Sequence, residues 1–406
     1  MNRFWLSAAF GALLASPALA ADPDTLTIGM TVSQTGSLNV DSVAQLRGCE
    51  LWRDEVNAAG GIKAGARRYK VRFVTYDDQS QGGRVQQLYT RLIVQDKSDF
   101  LFSPYSSGLT ATAAVISEEY SRVMLIGGGA EAKTYELGNK FLYQLITPAD
   151  SYLTGAIQAL REKNPRAKVA LVYSDDPFSK AVVAAARAQA STAGLKVVLD
   201  ESYAPSTTDF SAIINKIISS GAEAFLGGGH YPDGATLARQ LHDQKSQLQW
   251  VTILVAPDSP QFASLGAAAA GITVPSQWEP QVKFKPDFGP TPEQFARMFA
   301  AKFKGEADYH AASGYIEGLL LQRAIEQSGS IQPAQVAAAL DRMDVTTYFG
   351  RDKFVTDAGH HGLQAAHQMV LAQWQMKNGK LEKEVVWPDS ARTASVAYPM
   401  QAVSGM

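Results

Sequence analysis

The stretch SDFLFSPYSSGLTATAAVISEEYS, residues 98–121, contains the strand, the turn and the helix on which the fold prediction rests. Its apolar run FLF passes into a group of small hydroxyl residues with a glycine, and a helical segment follows directly. A turn needs only one or two such residues. The surplus indicates either an ordinary helix N-cap or a backbone arranged to hold a ligand, and the residues alone leave both interpretations open.

The same order of strand, turn and helix repeats on both sides of this stretch. The strands LTIGMTV, YKVRFVTYDD and VMLIGGG complete a first series, and KVALVYSDD, KVVLDESYA, AEAFLGGG and QWVTILVAP form a second. Strands that alternate with helices predict parallel sheets. The sequence therefore predicts two α/β lobes of similar design, followed by several helices and a late β-hairpin around Asn378-Gly379.

Composition and charge narrow the class of protein. The 406 residues are 46% apolar and 19% charged, with a net charge of -2, which gives no electrostatic basis for binding nucleic acid or an anionic membrane. The single cysteine, Cys49, excludes an intrachain disulfide and is expected to be a buried thiol. The length favours more than one domain.

The N-terminus has the three parts of a signal peptide. Arg3 precedes an apolar run, and Ala18 and Ala20 fit the small-x-small pattern of a cleavage site. We therefore expect residues 1–20 to be a signal peptide, cleaved after Ala20, and the mature chain to be exported. The apolar run is too short for a spanning helix.

The loops that follow the predicted strands differ between the two series. Ligands of open parallel sheets bind at the carboxyl ends of the strands. Serine, threonine and glycine follow the strands of the first series, which suits a carboxylate or another small anion. Asp258 follows a strand of the second series, with Phe178, His230 and Tyr231 in neighbouring loops, and such a set suits an ammonium group. Both kinds of residue are also ordinary helix caps.

Motifs of enzymes and of metal sites are largely missing. The sequence contains no G-x-S-x-G, no G-x-x-x-x-G-K-[ST] and no H-E-x-x-H. His360, His361 and His367 are spaced poorly for a metal site. We therefore expect no catalysis, no cofactor and no metal.

Taken in order, the segments LTIGMTVSQTGSL, LWRDEVNAAGGI, VRFVTYDDQS and FLFSPYSSGLTATAA resemble the periplasmic leucine/isoleucine/valine-binding proteins. The similarity continues through YSDDPFSKAVVAAARAQASTAGLKVV and TTDFSAIINKIISSGAEAFLGGG to YFGRDKFVTDAGHH, so it covers nearly all of the mature chain. These are type I solute-binding components of ABC transporters.

The resemblance implies two Rossmann-like lobes with parallel central sheets, joined by a three-crossing hinge. We expect an N-terminal lobe of residues 21–147 plus 279–350 and a C-terminal lobe of residues 148–278 plus 351–406. The ligand would lie between the lobes, which close on it by a hinge motion.

The resemblance also implies roles for individual residues. Ser106 and Ser107 match the serine loop that binds a ligand carboxylate, and Gly129 and Ala130 match the next carboxylate-binding turn. Phe178 and either His230 or Tyr231 match aromatic residues that cover the ligand. Asp258 matches the acidic partner of the ligand ammonium. Glu131 departs from the pattern, as do Gln34 and Thr35, so the identity of the ligand is left open.

The expected function is a periplasmic solute-binding protein that captures a small amino acid of branched-chain type, or a related amide or carboxylate. Its partners would be this ligand and an inner-membrane ABC permease, with no nucleic acid, and the protein would be a monomer. Two alternatives remain: a sensor of the same fold that serves a signalling partner, and an exported α/β enzyme.

Overall fold

The computed structural model describes residues 24–400, and the predicted signal peptide lies outside this range. The first sheet has six strands in the order β2-β3-β1-β4-β5-β6, parallel except at the β2–β3 pair. Its strands are β1 (Asp24–Val32), β2 (Ile62–Ala64), β3 (Arg67–Asp77), β4 (Phe100–Phe102), β5 (Met124–Ile126) and β6 (Leu142–Gln144). The helices along this part of the chain are α1 (Asn39–Ala58), α2 (Gly82–Val94) and α3 (Ser107–Glu119).

The second sheet begins after β6 and repeats the alternation. Its parallel strands are β7 (Lys168–Ser174), β8 (Lys196–Tyr203), β9 (Ala224–Gly228), β10 (Trp250–Ile253) and β11 (Thr273–Ser276). The accompanying helices are α4 (Thr154–Lys163), α5 (Pro177–Thr192), α6 (Ser211–Ser219) and α7 (Tyr231–Asp243). Two α/β lobes with parallel central sheets, as predicted, are thereby confirmed.

After β11 the chain returns to the first lobe. It forms α8 (Pro292–Phe303), α9 (Tyr309–Ser328), α10 (Pro333–Asp341) and the short pair β12 (Asp344–Thr346) and β13 (Arg351–Lys353). The predicted late hairpin then appears as β14 (Val370–Lys377) and β15 (Lys380–Trp387). Strand β14 pairs antiparallel with β11, so the second sheet has the order β15-β14-β11-β10-β9-β7-β8.

Helices α1 and α9 cross in close contact because glycine stands at the crossing. A Cβ atom on Gly48 would lie 1.9 Å from the Ala311 carbonyl oxygen, and one on Gly314 would lie 1.9 Å from that of Gln45. Neither position therefore accepts a side chain. The contact brings the N-terminus of α9 to the first turns of α1, which decides the composition of the site described below.

Hydrogen bonds tie together the three regions in which the chain passes between the sheets. Gln277 accepts the Thr147 backbone N–H (2.9 Å) and donates to the Thr147 carbonyl (3.2 Å). His367 lies 2.7 Å from the Thr147 hydroxyl through Nδ1 and 3.0 Å from the Phe349 carbonyl through Nε2. The carbonyl can only accept, so Nε2 carries the proton and Nδ1 accepts from Thr147. The exact lobe boundaries stay a prediction.

Burial keeps His367 in its neutral form, because desolvation lowers its pKa to about 4. The Trp278 indole N–H donates to the Tyr348 carbonyl (3.1 Å), and its ring is buried beside these crossings. Among residues 24–400 we find no helix with the length and apolar content that crossing a membrane requires.

Candidate ligand-binding site

A small inner cavity of about 10 Å³ lies between the lobes and has walls from both. That volume is about the size of one water molecule, so the lobes are closed on each other in this structure. Its lining comprises Tyr105, Ser106, Ser107, Gly127, Gly128, Ala130, Ile146, Tyr152, Phe178, His230, Tyr309 and His310. The cavity adjoins an outer cavity of about 400 Å³, with which it shares Ser106 and His230.

The serine loop lies where β4 gives way to α3. Ser106 is the N-cap residue of α3, yet its side chain makes no capping hydrogen bond. Ser107 Oγ accepts the backbone N–H groups of Ala130 (3.0 Å) and Glu131 (3.2 Å), so it ties the serine loop to the following turn. The uncapped start of a helix is electropositive, and the hydroxyl hydrogens of both serines remain available to donate. This wall of the cavity is suited to a carboxylate.

Glu317, on α9, holds the serine loop and the following turn from beneath. Its carboxylate accepts the Gly127 backbone N–H (2.9 Å), the Ser103 hydroxyl (3.2 Å) and the Gln45 amide (3.2 Å), and it also accepts from the Cys49 thiol (3.3 Å). Burial raises the pKa of Glu317 to about 7, although these donors act in the opposite direction. Cys49 is buried, as predicted, and serves this network.

The opposite wall is aromatic and comes mainly from the second lobe. Phe178, in the first turn of α5, packs edge-on against Tyr152 (5.0 Å between ring centroids) and stacks on His230 (5.8 Å). His230 Nδ1 lies 2.9 Å from the Tyr105 hydroxyl, so a hydrogen bond joins the two lobes across the cavity. Asp176 caps α5 by accepting the Ser179 backbone N–H (3.0 Å).

Asp258 lies behind the cavity wall and has internal partners. Its carboxylate accepts from the Ser276 hydroxyl (2.7 Å), the Tyr309 backbone N–H (2.9 Å) and the Lys383 ammonium (3.1 Å). The side chain is fully buried and does not line either cavity. Its predicted contact with a ligand ammonium therefore stays a prediction, and the geometry gives Asp258 a structural task.

Five of the eight residues predicted for the site line the inner cavity, namely Ser106, Ser107, Ala130, Phe178 and His230. Gly129 instead packs on Thr110 (a Cβ there would lie 2.6 Å from its side chain), and Tyr231 lines neither cavity. Of the two aromatic alternatives, the structure places His230 at the cavity.

Several lining residues were missed by the sequence reasoning, above all Tyr152, Tyr309 and His310. The last two open α9 directly after its N-cap residue Asp308, which accepts the Ala311 backbone N–H (2.9 Å). In the sequence, Asp308 before a helical run already indicates the start of a helix. The approach of this helix end to the first lobe's serine loop was not visible, because it depends on the crossing of α1 and α9.

The outer cavity is lined mainly by hydroxyl groups and two carboxylates. Its residues are Ser37, Leu38, Ser80, Ser106, Gly108, Leu109, Ser174, Asp176, Pro205, Ser206, Thr207, Thr208, His230, Pro232, Asp233 and Thr236. Its volume falls within the range of small-molecule sites. A ligand larger than the inner cavity could extend into this space.

Comparison with known proteins identifies the class of this two-lobed architecture. A family model described as "Periplasmic binding protein" matches residues 25–380. A curated relative from Pseudomonas aeruginosa, named "Amino acid binding protein", is 25% identical over 334 residues, which cover 81% of this chain and 86% of that protein.

Two solved structures show the same fold. A branched-chain amino acid transporter substrate-binding protein, LivJ from Streptococcus pneumoniae in complex with isoleucine, gives a TM-score of 0.75 at 23% identity, covering 90% of this chain and 100% of that one. A solute-binding protein from R. palustris in complex with benzoate gives a TM-score of 0.74 at 20% identity, and the alignment covers 91% of this chain and 98% of that one.

Proposed function

The chain belongs to the periplasmic binding protein family, and from this premise we propose that it is the solute-binding protein of an ABC transporter. It captures a small carboxylate ligand between its lobes. The observation that carries this proposal is the inner cavity, which joins the uncapped start of α3 to the aromatic wall of the second lobe. A site with walls from both lobes changes shape when the lobes move, and closure can therefore report that a ligand is bound.

The ligand is a small amino acid, of branched-chain type, or a related amide or carboxylate. Ser106 and Ser107 hold its carboxylate, and Phe178 and His230 cover it. An aromatic carboxylate is the alternative. The six aromatic rings around the cavity support it, as does the benzoate complex of a protein with the same fold.

The remaining parts of the proposal rest on the N-terminal sequence and on the resemblance to the family. The mature chain works in the periplasm after cleavage behind Ala20, as a monomer and without catalysis, and delivers its ligand to an inner-membrane permease. The lobes comprise residues 21–147 plus 279–350 and residues 148–278 plus 351–406.

A thermal-melt screen of the purified mature protein tests the binding function. The panel contains the amino acids, their amides, and aliphatic and aromatic carboxylates, with glucose as a neutral control. A ligand at 100 times its dissociation constant adds about 2.7 kcal/mol of stability, which corresponds to a shift of several degrees. A panel that leaves the melting temperature unchanged, followed by calorimetry without binding heat, would overturn the proposal.

A further inference from the structure

Asp41 carries a buried carboxylate at the start of α1. It lies in the first turn of α1 with 1% of its surface exposed, and neither carboxylate oxygen has a hydrogen-bond partner among the described residues. The Tyr105 hydroxyl and the Tyr231 backbone lie close enough to lower its pKa, although neither makes a hydrogen bond. Tyr105 belongs to the inner cavity wall and Tyr231 to the second lobe, so Asp41 lies where the two lobes meet.

Two further polar groups beside the cavity are also unpaired within the described part of the chain. His310 lines the cavity with 1% of its surface exposed, and neither ring nitrogen has a hydrogen-bond partner within residues 24–400. Gln45 Oε1 has none either, and it lies next to the cavity wall, since a Cβ atom on Gly128 would be 2.6 Å from it. Of the three groups only His310 lines the cavity, while Gln45 and Asp41 lie behind its wall, next to Gly128 and Tyr105. Buried polar groups are nearly always paired, so this set of acceptors suits a donor group that enters the cavity.

The local charge shows which kind of donor these acceptors suit. Asp308 and Asp258 are buried near Asp41, and their charges add to the effect of burial in raising its pKa. Lys383 supplies one positive charge to this region, but it is shared between Asp258 (3.1 Å) and Glu279 (2.8 Å). The acceptors and the negative charge are thus in excess, and a cationic donor would relieve both.

We propose that Asp41 receives the ammonium group of the ligand, with Gln45 Oε1 and a ring nitrogen of His310 as neighbouring acceptors. This inference rests on the proposed function and deepens it: the ligand is a zwitterion, with its carboxylate at the serine loop and its amine at Asp41. The role expected of Asp258 then belongs to a residue on the first lobe.

A metal ion fits the same region less well. One ligand atom each from Asp258, Asp308 and His310 lie within 4.8 Å of one another. However, both Asp258 oxygens already accept hydrogen bonds, and the Lys383 ammonium beside them would repel a second cation. Asp41, whose oxygens have no hydrogen-bond partner between residues 24 and 400, is the better acceptor.

The test measures binding of matched probes by calorimetry at pH 7. The probes are leucine and 4-methylpentanoate, which is leucine without its amine, together with alanine and propanoate as a smaller pair and benzoate. The proteins are the mature wild type, Asp41→Asn and Asp258→Asn, each checked by circular dichroism and melting temperature. Asparagine has the shape of aspartate, so the exchange removes the charge and leaves the packing.

We expect the wild type to favour the amino acid of a pair over its acid by roughly 10- to 100-fold, the value of a charge-assisted hydrogen bond. Asp41→Asn should remove most of this preference and leave acid binding within about threefold, whereas Asp258→Asn should keep the preference. Removal of the amine preference is a result that mere loss of stability would not give.

Other results separate the two proposals. If the wild type binds 4-methylpentanoate or benzoate as tightly as leucine, the inference is wrong and carboxylate capture stands. A preference lost in Asp258→Asn and kept in Asp41→Asn also overturns it and returns the amine to Asp258. Tighter binding of leucine only after addition of Zn²⁺ or Ca²⁺ would replace the ammonium with a metal. No heat with any of these probes overturns the inference, and the melt screen with its wider panel then decides the proposed function separately.

Discussion

Replacement of Lys383 by methionine should destabilise the protein by roughly 3–5 kcal/mol, the cost of breaking a buried ion pair. The Lys383 side chain is 12% exposed, while those of Asp258 and Glu279 are 0% and 2% exposed. The ammonium also donates to the Asp258 carbonyl (2.6 Å). Methionine fills much of the same space, so the loss comes from two buried carboxylates left without their cation.

Guanidinium unfolding followed by tryptophan fluorescence gives the change in the free energy of unfolding. In a melt, the same change corresponds to a decrease of roughly 6–20 °C. The double variant Lys383→Met/Glu279→Gln should recover about half of the loss, because it removes one of the two orphaned charges. Lys383→Arg, which keeps the charge, is the matched control and should lose much less.

The effect of pH has a definite sign. Burial raises the pKa of Glu279 to about 8 even beside Lys383, and removal of this cation raises it further, so the variant loses stability relative to the wild type as the pH rises. The difference in the free energy of unfolding between the variant and the wild type should therefore become smaller when the pH falls from 7 to 5. A loss below about 1 kcal/mol at pH 7, or a difference from the wild type that grows in acid, would show that Lys383 does not stabilise these carboxylates.

Two further predictions concern the serine loop. Ser107→Ala leaves the N–H groups of Ala130 and Glu131 without their acceptor, so the free energy of unfolding should fall by roughly 1–3 kcal/mol. The side chain of Ser106 makes no capping bond. Ser106→Ala is therefore the control and should change the free energy of unfolding by less than about 0.5 kcal/mol. Glu317 has a folded pKa of about 7 against an ordinary value of 4.5, so its share of the stability falls by roughly 3 kcal/mol as the pH rises through this window. Chemical denaturation should give a lower free energy of unfolding at pH 7.5 than at pH 4.5 in the wild type, and a smaller difference in Glu317→Gln. An equal pH dependence in the two proteins would contradict the raised pKa of Glu317.

Local sequence was enough to predict most of the fold. Alternating strands and helices gave both sheets, and Asn378-Gly379 gave the hairpin, because each signal is contained within a few residues. Strand β2, which has only three residues, gave no such signal and was missed. The antiparallel pairing of β14 with β11 joins residues almost a hundred positions apart, and no short pattern specifies it.

The candidate site was predicted less completely, since its geometry depends on distant contacts. The partners of Asp258 are Ser276, Tyr309 and Lys383, which are 18, 51 and 125 residues away. A carboxylate at the end of a strand looks the same in the sequence whether it faces a ligand or a buried lysine. Asp41 likewise looks like an ordinary residue of a helix's first turn, and only the folded structure shows that it is buried and has no hydrogen-bond partner among the residues described.

The position of the β14–β15 hairpin in the second sheet has a consequence for synthesis. When β7 to β11 have left the ribosome, β11 is still an edge strand, and its pairing partner begins only at Val370. Unpaired strand edges invite pairing with other chains. The second sheet is thus incomplete until β14 has been made, and a nascent chain halted before residue 370 would expose the edge of β11.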